Sequence, residues 1–406
     1  MSLRRKIINE ICCAKTLYES MNIFEENKDI ISDCKFIFSA EDGANIPSCT
    51  VKKVFKNGAG VHNVFATEKI IALDEYIISE MKRKGTVDYI IDYSISLDNN
   101  IVNYIRSFMN NENKHPKEFD DILKFLIQKN VNVDPMPYVL ENIKEVNDQS
   151  KIDPIYETLK CYEILKTVDE KKYEKDGVIR SKCSLSEINN NALKNLESMI
   201  EISKDKNPRE NLNLQKILYC ILLKIVDVQI HYPNKSIEYR LNKFLEFCNS
   251  ILHTIFLREL VIAREYFKKV NNLRFFGKIQ KNNNNKLSNL KNMSWDLFHI
   301  RQMETRVMMR PEGNARYFFP AFLTNDLGLI EIIELFPIKA IGFSDNVNEL
   351  SCSFKVGDFL DTLDTNDFDE KYFSYEAKRK RDLHRDVNFN FEPLIRDLED
   401  RVQMFS

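Results

Sequence analysis

The sequence predicts an α/β protein: a mainly parallel sheet flanked by helices, with a mainly helical insertion and a small N-terminal α+β region. Three observations predict it. Val87-Asp88-Tyr89-Ile90-Ile91-Asp92-Tyr93-Ser94-Ile95-Ser96-Leu97 is rich in β-branched and aromatic residues, and stops at Asp98-Asn99-Asn100 before the helical spacing of Ile101, Val102 and Ile105. A second apolar run, Tyr317 to Leu323, is stopped by Thr324-Asn325-Asp326 and followed by a helix over Leu327–Leu335 and a strand over Ile338–Phe343. Strand, polar turn and helix in succession are what a parallel sheet demands of its crossovers. Thirdly, residues 146–285 carry helical spacing almost throughout.

Composition narrows the class. A chain of 406 residues, 43% hydrophobic and 30% charged, can bury a large core, and at about 100–200 residues per domain it holds two or three units. A net charge of -2 excludes a globally basic nucleic-acid binder but leaves room for local basic patches. The nine cysteines are scattered and contain no C-x-x-C, so they indicate neither a disulfide framework nor a zinc site and read as buried thiols in a reducing compartment. The longest apolar run, Ile217 to Val228, is interrupted by Lys224 and Asp227 and falls short of the roughly 18–20 residues of a membrane span. Arg4, Arg5 and Lys6 are followed by Asn9, Glu10 and Lys15 rather than by the apolar core of a signal peptide. A cytoplasmic protein without a membrane partner is expected.

Taken in order, residues 1 to about 35 predict an amphipathic helix through Ile7, Ile11, Leu17, Met21 and Ile23. Short strands follow at Lys35–Phe38 and Thr50–Phe55, with Asn57-Gly58-Ala59-Gly60 as a turn. Thr67 to Arg83 has helical spacing through Ile70, Leu73, Ile77 and Met81, with Thr67 as cap and a stop near Gly85. After the strand ending at Leu97, a helix is expected over Lys117–Lys129, and a helical turn at Pro137–Asn142 carries Glu141. The helical stretch has strong segments at Ile155–Val168, Leu185–Ile202, Leu214–Ile230 and Ile237–Val270, enough to form a bundle of its own. Leu297, Ile300 and Met303 then place Asp296 in the first turn of a helix, where a carboxylate suits the dipole. The resulting organisation is 1–86, 87–145, 146–285, 286–350 and a helical tail at 351–406.

The order of the acids resembles that of a PIN-like nuclease domain: a strand ending in Asp-x-Asn (Asp98, Asn100), a helical Glu about 40 residues on (Glu141), an Asp opening a helix (Asp296), and a strand ending Thr-x-Asp (Thr324, Asp326). The resemblance covers about 87–145 and 286–345, and the segment between them stands as an insertion. Glu259, on an equally good helix within the insertion, is the alternative second acid. The resemblance implies a ribonuclease, with DNA as the other substrate, of the toxin or anti-phage defence type. A regulatory protein or antitoxin and self-association are the partners it implies.

Carboxylates gathered without His or Cys select a hard divalent ion, Mg²⁺ or Mn²⁺. Asp98, Asp296 and Asp326 are therefore assigned to metal, Glu141 to metal or water positioning, and Asn100 and Thr324 to orienting the carboxylates. Lys278, Lys281 and Lys286 belong to a basic, Asn-rich linker leading into Asp296, and are expected to attract phosphate, with Phe275 and Phe276 available for stacking. Two other readings stand beside this one. One is a non-catalytic interaction scaffold. The other is a metal-independent nuclease using Arg379 and His384, whose R-x4-H spacing resembles the HEPN ribonuclease motif.

Overall fold

The computed structural model describes residues 2–45, 52–204, 207–268, 273–279, 283–344, 346, 349–354, 368–386 and 389–404. It is a mixed α/β protein with two small sheets and many helices, and its contacts divide it into two compact units. The first comprises Met1–Asp205, Ile300–Asp326 and Pro337–Lys355, and the second Lys206–His299, Leu327–Phe336 and Val356–Ser406. The boundaries expected at 86, 145, 285 and 350 do not coincide with this division.

The chain opens with three short helices, α1 (Leu3–Cys13), α2 (Leu17–Glu26) and α3 (Lys28–Ile31), where the sequence predicts one. The break is local: Thr16 accepts a hydrogen bond from the Glu19 N–H, and the Glu19 carboxylate accepts one from the Lys15 N–H, so a new helix starts at Leu17. The strands are β1 (Cys34–Asn45), β2 (Lys53–Val54), β3 (Gly60–His62), β4 (Lys69–Leu73) and, after α4 (Glu75–Lys84), β5 (Ile91–Leu97). Lys69–Leu73 is a strand where helical spacing predicts a helix, because the β-branched pair Ile70-Ile71 lies antiparallel to β1. The true helix cap is Asp74, which accepts a hydrogen bond from the Ile77 N–H at 2.8 Å, and the helix ends at Gly85 with φ of 75°.

Beyond β5 come α5 (Asn99–Met109), α6 (Phe119–Leu126), β6 (Val133–Asp134), α7 (Met136–Asn142), α8 (Gln149–Lys166), α9 (Glu170–Asp176) and α10 (Leu185–Lys204). These are followed by α11 (Asn207–His231), α12 (Ile237–Ser250), α13 (Leu257–Lys268), α14 (Lys286–Arg306), β7 (Tyr317–Thr324), α15 (Leu327–Leu335), β8 (Ile338–Ser344) and β9 (Glu349–Phe354). Two further helices, Tyr375–His384 and Phe391–Gln403, end the chain.

In the first unit, one sheet has the order β2-β3-β7-β5-β6, and β7, β5 and β6 run parallel. All eight residues of β7 are buried, as expected of a strand covered on both faces. Ile95 and Leu97 of β5, with Ala321 and Leu323 of β7, share a core with Ile101, Ile105, Ile122, Leu159 and Leu196. Thus α8 and α10 belong to the first unit, and the insertion is not a separate bundle. The second sheet, β4-β1-β8-β9, is antiparallel. Here β8 pairs with β1 and β9, so the β-α-β step expected after Asp326 does not extend the parallel sheet. The reason is non-local: Phe36 of β1 faces Gly342 of β8 in register, and its ring occupies the space a Cβ would take.

The second unit contains a fully buried carboxylate, Asp227 on α11. It meets Lys224 Nζ at 2.7 Å, His231 Nδ1 at 2.9 Å and Arg401 Nε at 3.0 Å, so the desolvated charge is compensated on several sides. Tyr219 also donates to Glu399 at 2.7 Å, and these bonds fix helix Phe391–Gln403 against α11.

Gly342→Ala tests the close packing of the antiparallel sheet. A Cβ there would lie 2.7 Å from Cε1 of Phe36 and 2.9 Å from Cγ2 of Ile8, both in the core. The expected result is a loss of about 1–3 kcal/mol in urea unfolding; an unchanged midpoint would show that this packing yields easily.

Candidate active site

The parallel pair β5–β7 brings together acids that are far apart in sequence. Leu97 and Leu323 are register partners, so Asp98 and Thr324 leave the sheet at the same, carboxyl end, and the Asp98 N–H donates to Leu323 O at 3.0 Å. Carboxyl ends of parallel strands are where open α/β sheets keep their ligands. Asp98 is also the cap of α5: one oxygen accepts the Asn100 N–H at 3.3 Å. Its other oxygen accepts a hydrogen bond from the Thr324 hydroxyl. Thr324 Oγ1 in turn accepts the Asp326 N–H at 3.0 Å. One hydroxyl therefore links the carboxylate of one strand end to the backbone of the other.

Glu141 joins through an amide. Asn99 Nδ2 donates to Glu141 Oε2 at 2.7 Å, and Asn103 Nδ2 donates to Asn99 Oδ1 at 3.1 Å, so α5 holds α7's glutamate by a side-chain relay. The orienting amide expected from Asn100 is thus supplied by Asn99. Asn100 is exposed and contributes its backbone N–H instead. The reason is helical: residues at positions 99 and 103 are one turn apart on the same face.

A group not foreseen in the sequence lies on the other alternation of β5. Ser94 and Ser96 share the face of Asp98, at spacing two, and both donate to Asp134 of β6. Arg306, at the end of α14, reaches Asp134 Oδ2 at 3.0 Å and also bonds the Ser96 hydroxyl. The signal was present as Ser94-x-Ser96 near the end of the strand, but the acidic and basic partners come from distant segments.

The remaining candidates fall differently. Asp98, Glu141 and Asp326 belong to the first unit, whereas Asp296, Glu259, Lys278, Lys286, Arg379 and His384 belong to the second. Asp296 lies in the middle of α14, not in a first turn, because the helix starts at Lys286. Ser294, inside the helix, donates back to Lys291 O at 2.6 Å and accepts from Gln215 Nε2. Glu259, the alternative second acid, is fully buried.

The linker also differs from expectation. Phe275 and Phe276 are buried, with Phe276 stacked on Tyr266 at 4.1 Å, so they form core rather than a base-stacking surface. Lys286 is 5% exposed, too covered to attract phosphate from solvent. Lys278 is exposed, and Lys281 lies outside the described residues. Arg379 and His384 are both exposed on one helix, but five residues place them about 140° apart around its axis, so they share no face.

The donor chemistry at Asp98, Asp326 and Glu141 is oxygen alone, which fits Mg²⁺ or Mn²⁺ better than softer ions. Among the described residues no three His, Cys, Asp or Glu side chains form a group that could hold a metal ion. Mg²⁺ is commonly held by one or two carboxylates with waters and substrate phosphate completing its shell. The residues present fit such an open site, not a closed cage. Among the described residues no helix is long and apolar enough to cross a membrane, and Cys12, Cys13, Cys34, Cys161, Cys183, Cys220 and Cys248 are free thiols.

Thr324→Val tests the shared hydroxyl. It keeps the shape of the side chain but removes the donor to Asp98 and the acceptor for Asp326 N–H. The expected cost is about 1–3 kcal/mol of stability, largely recovered in Thr324→Ser; equal stability of both variants with the parent would show that the link is not structural.

No protein-family model, no curated protein and no solved structure matches the chain, so its geometry has to carry the functional reading.

Proposed function

We propose that the chain is a divalent-cation-dependent phosphodiesterase acting on RNA, built on a PIN-like parallel sheet. The observation supporting it is the linkage of Asp98 and Asp326 through Thr324 at the carboxyl ends of two parallel strands, with Glu141 tethered beside Asp98 by Asn99. In this reading Asp98 and Asp326 hold the cation and Glu141 positions the attacking water. Mg²⁺ or Mn²⁺, when bound, supplies Lewis-acid polarisation of the phosphoryl oxygen and neutralises charge on the leaving oxygen. Thr324 fixes the orientation of Asp98, and Asn99 that of Glu141, before substrate arrives. The capping role of Asp98 aims its carboxylate at the positive end of α5, which offsets part of the cost of burying it.

RNA rather than DNA, and a role as a toxin or anti-phage effector under the control of a partner, follow from the resemblance of the acid order. A cytoplasmic location accords with that role. The metal-independent reading through Arg379 and His384 gains nothing from two side chains on different sides of one helix.

The test is incubation of the full chain with RNA and DNA in Mn²⁺, Mg²⁺ or EDTA. Cleavage of RNA in Mn²⁺, abolished by EDTA and reduced at least about 100-fold in Asp98→Asn and Asp326→Asn, is the expected result. Asn can still accept the Asn100 N–H but has one acceptor oxygen where Asp98 uses two, so Asp98→Asn should stay folded with a loss of about 1 kcal/mol, read from its melting temperature. Mn²⁺ should also stabilise the parent, because it binds only the folded state, and should not stabilise the variants. Cleavage unaffected by EDTA would move the chemistry elsewhere, and neither cleavage nor Mn²⁺-dependent stabilisation would leave a scaffold.

A further inference from the structure

The amino end of β7 carries a second arrangement, in the same unit but at the opposite end of the strand from Asp326. A cleft of about 540 Å³ opens there, lined by Asp33, Lys35, Asp74, Tyr76, Ser79 and Arg316 among others. A volume of this size is typical of small-molecule sites, which fall at about 300–1,000 Å³.

Arg316 is its fixed member. Its Nε donates to Asp74 Oδ2 at 2.6 Å, and its guanidinium lies 4.4 Å from the centroid of the Tyr76 ring. Asp74 is itself immobilised: it is 2% exposed, Oδ2 also accepts the Tyr317 hydroxyl at 2.7 Å, and Oδ1 caps α4. Because the bond to Asp74 runs through Nε, the terminal amino groups, which carry the rest of the N–H donors, are not spent on that pair. The side chain is 31% exposed, so the guanidinium is pre-oriented and still reachable from solvent.

The charges around it favour an anion. Lys35 donates to Arg316 O at 3.3 Å and lies 5.8 Å from the Tyr317 ring centroid, placing a second cation in the lining. The acids are already matched. Asp33 accepts from Arg4 at 2.6 Å and from the Ser344 hydroxyl at 2.6 Å, and Glu75 pairs with Lys28 at 2.8 Å. Burial alone would raise Asp33, but the bonds from Ser344 and Arg4 outweigh it and hold the carboxyl below its ordinary range, so it stays ionised and occupied.

We propose that this cleft binds the oxyanion group of a small solute, a phosphate or a carboxylate, with the Arg316 fork as principal donor and Lys35 as second cation. A guanidinium held by a buried carboxylate and an aromatic face loses little freedom on accepting a planar pair of oxygens. The cleft is separate from the site of Asp98 and Asp326: the length of β7 alone, eight residues at about 3.3 Å each, is roughly 25 Å. Its occupancy can therefore be read without any nuclease assay, and its failure would leave the phosphodiesterase reading untouched.

The test is calorimetric titration of the full chain at fixed ionic strength with inorganic phosphate, pyrophosphate, adenosine monophosphate and citrate. Saturable one-site binding of at least one of them is expected, weakened at least about tenfold in Arg316→Lys, which keeps the charge but not the fork, and in Lys35→Ser. Arg316→Ala is avoided, since it would strand the buried Asp74. Binding of the phosphates but not citrate assigns the site to phosphate, and the reverse to carboxylate. No saturable binding by the folded parent up to about 10 mM of any of the four, or binding unchanged in both variants, overturns the proposal.

Discussion

The Thr324 hydroxyl makes the bond on which the order of the two strand ends in the first unit depends. It is fully buried, it donates to a carboxylate that is 5% exposed, and it accepts the backbone N–H that precedes the side chain of Asp326. A buried carboxylate is tolerated only when its lone pairs are occupied, and Asp98 meets that condition through Thr324, the Asn100 N–H and the dipole of α5. The Thr324 partner exists only if β5 and β7 are parallel and in the observed register. A slip of one residue would turn Ser94, Ser96 and Asp98 into the apolar core occupied by Ile95 and Leu97. The polar face and the apolar face of β5 therefore specify the same register from opposite sides.

What the sequence made legible follows the range of the interaction. The strand ending at Leu97, the buried strand before Thr324 and the helical turn bearing Glu141 are written in local alternation and turn chemistry, and all three are present. The pairing of β8 was not legible, because its neighbour β1 lies some 300 residues earlier and only the fit of Phe36 over Gly342 decides between the two sheets. Lys69–Leu73 was misread because Ile70, Leu73 and Ile77 span a strand, a cap and a helix while keeping a spacing of three and four. Asp296 was misplaced for a related reason: the spacing of Leu297, Ile300 and Met303 marks a helix but not its start, which lies at Lys286. The orienting role passed from Asn100 to Asn99 because the relay to Glu141 depends on the helix face, which a motif written as Asp-x-Asn does not encode.

Charge in the two units is handled in two ways. In the second, Asp227 is buried completely and surrounded by Lys224, His231 and Arg401, an arrangement that fixes helices and leaves little room for a ligand. In the first, Asp134, Asp326 and Glu141 are all half-buried, with Asp134 held by Arg306 and two serines and Glu141 by Asn99. A carboxylate buried as deeply as Asp227 needs several cationic partners, whereas a half-buried one keeps part of its hydration and needs fewer.

The burial of β7 explains why polar side chains collect at its ends. With every residue from Tyr317 to Thr324 buried, it offers no edge of its own to solvent and no interior position where a charged side chain could be desolvated cheaply. Its sequence is accordingly apolar until the last residue, whose small hydroxyl can be satisfied by neighbours on both sides. At the amino end, the same constraint is met by Tyr317, whose buried hydroxyl is satisfied by the buried Asp74, and by Arg316, which stands just before the strand begins. A buried parallel strand thus acts as a rigid spacer, and the residues that can meet solutes are those its burial forces beyond either end.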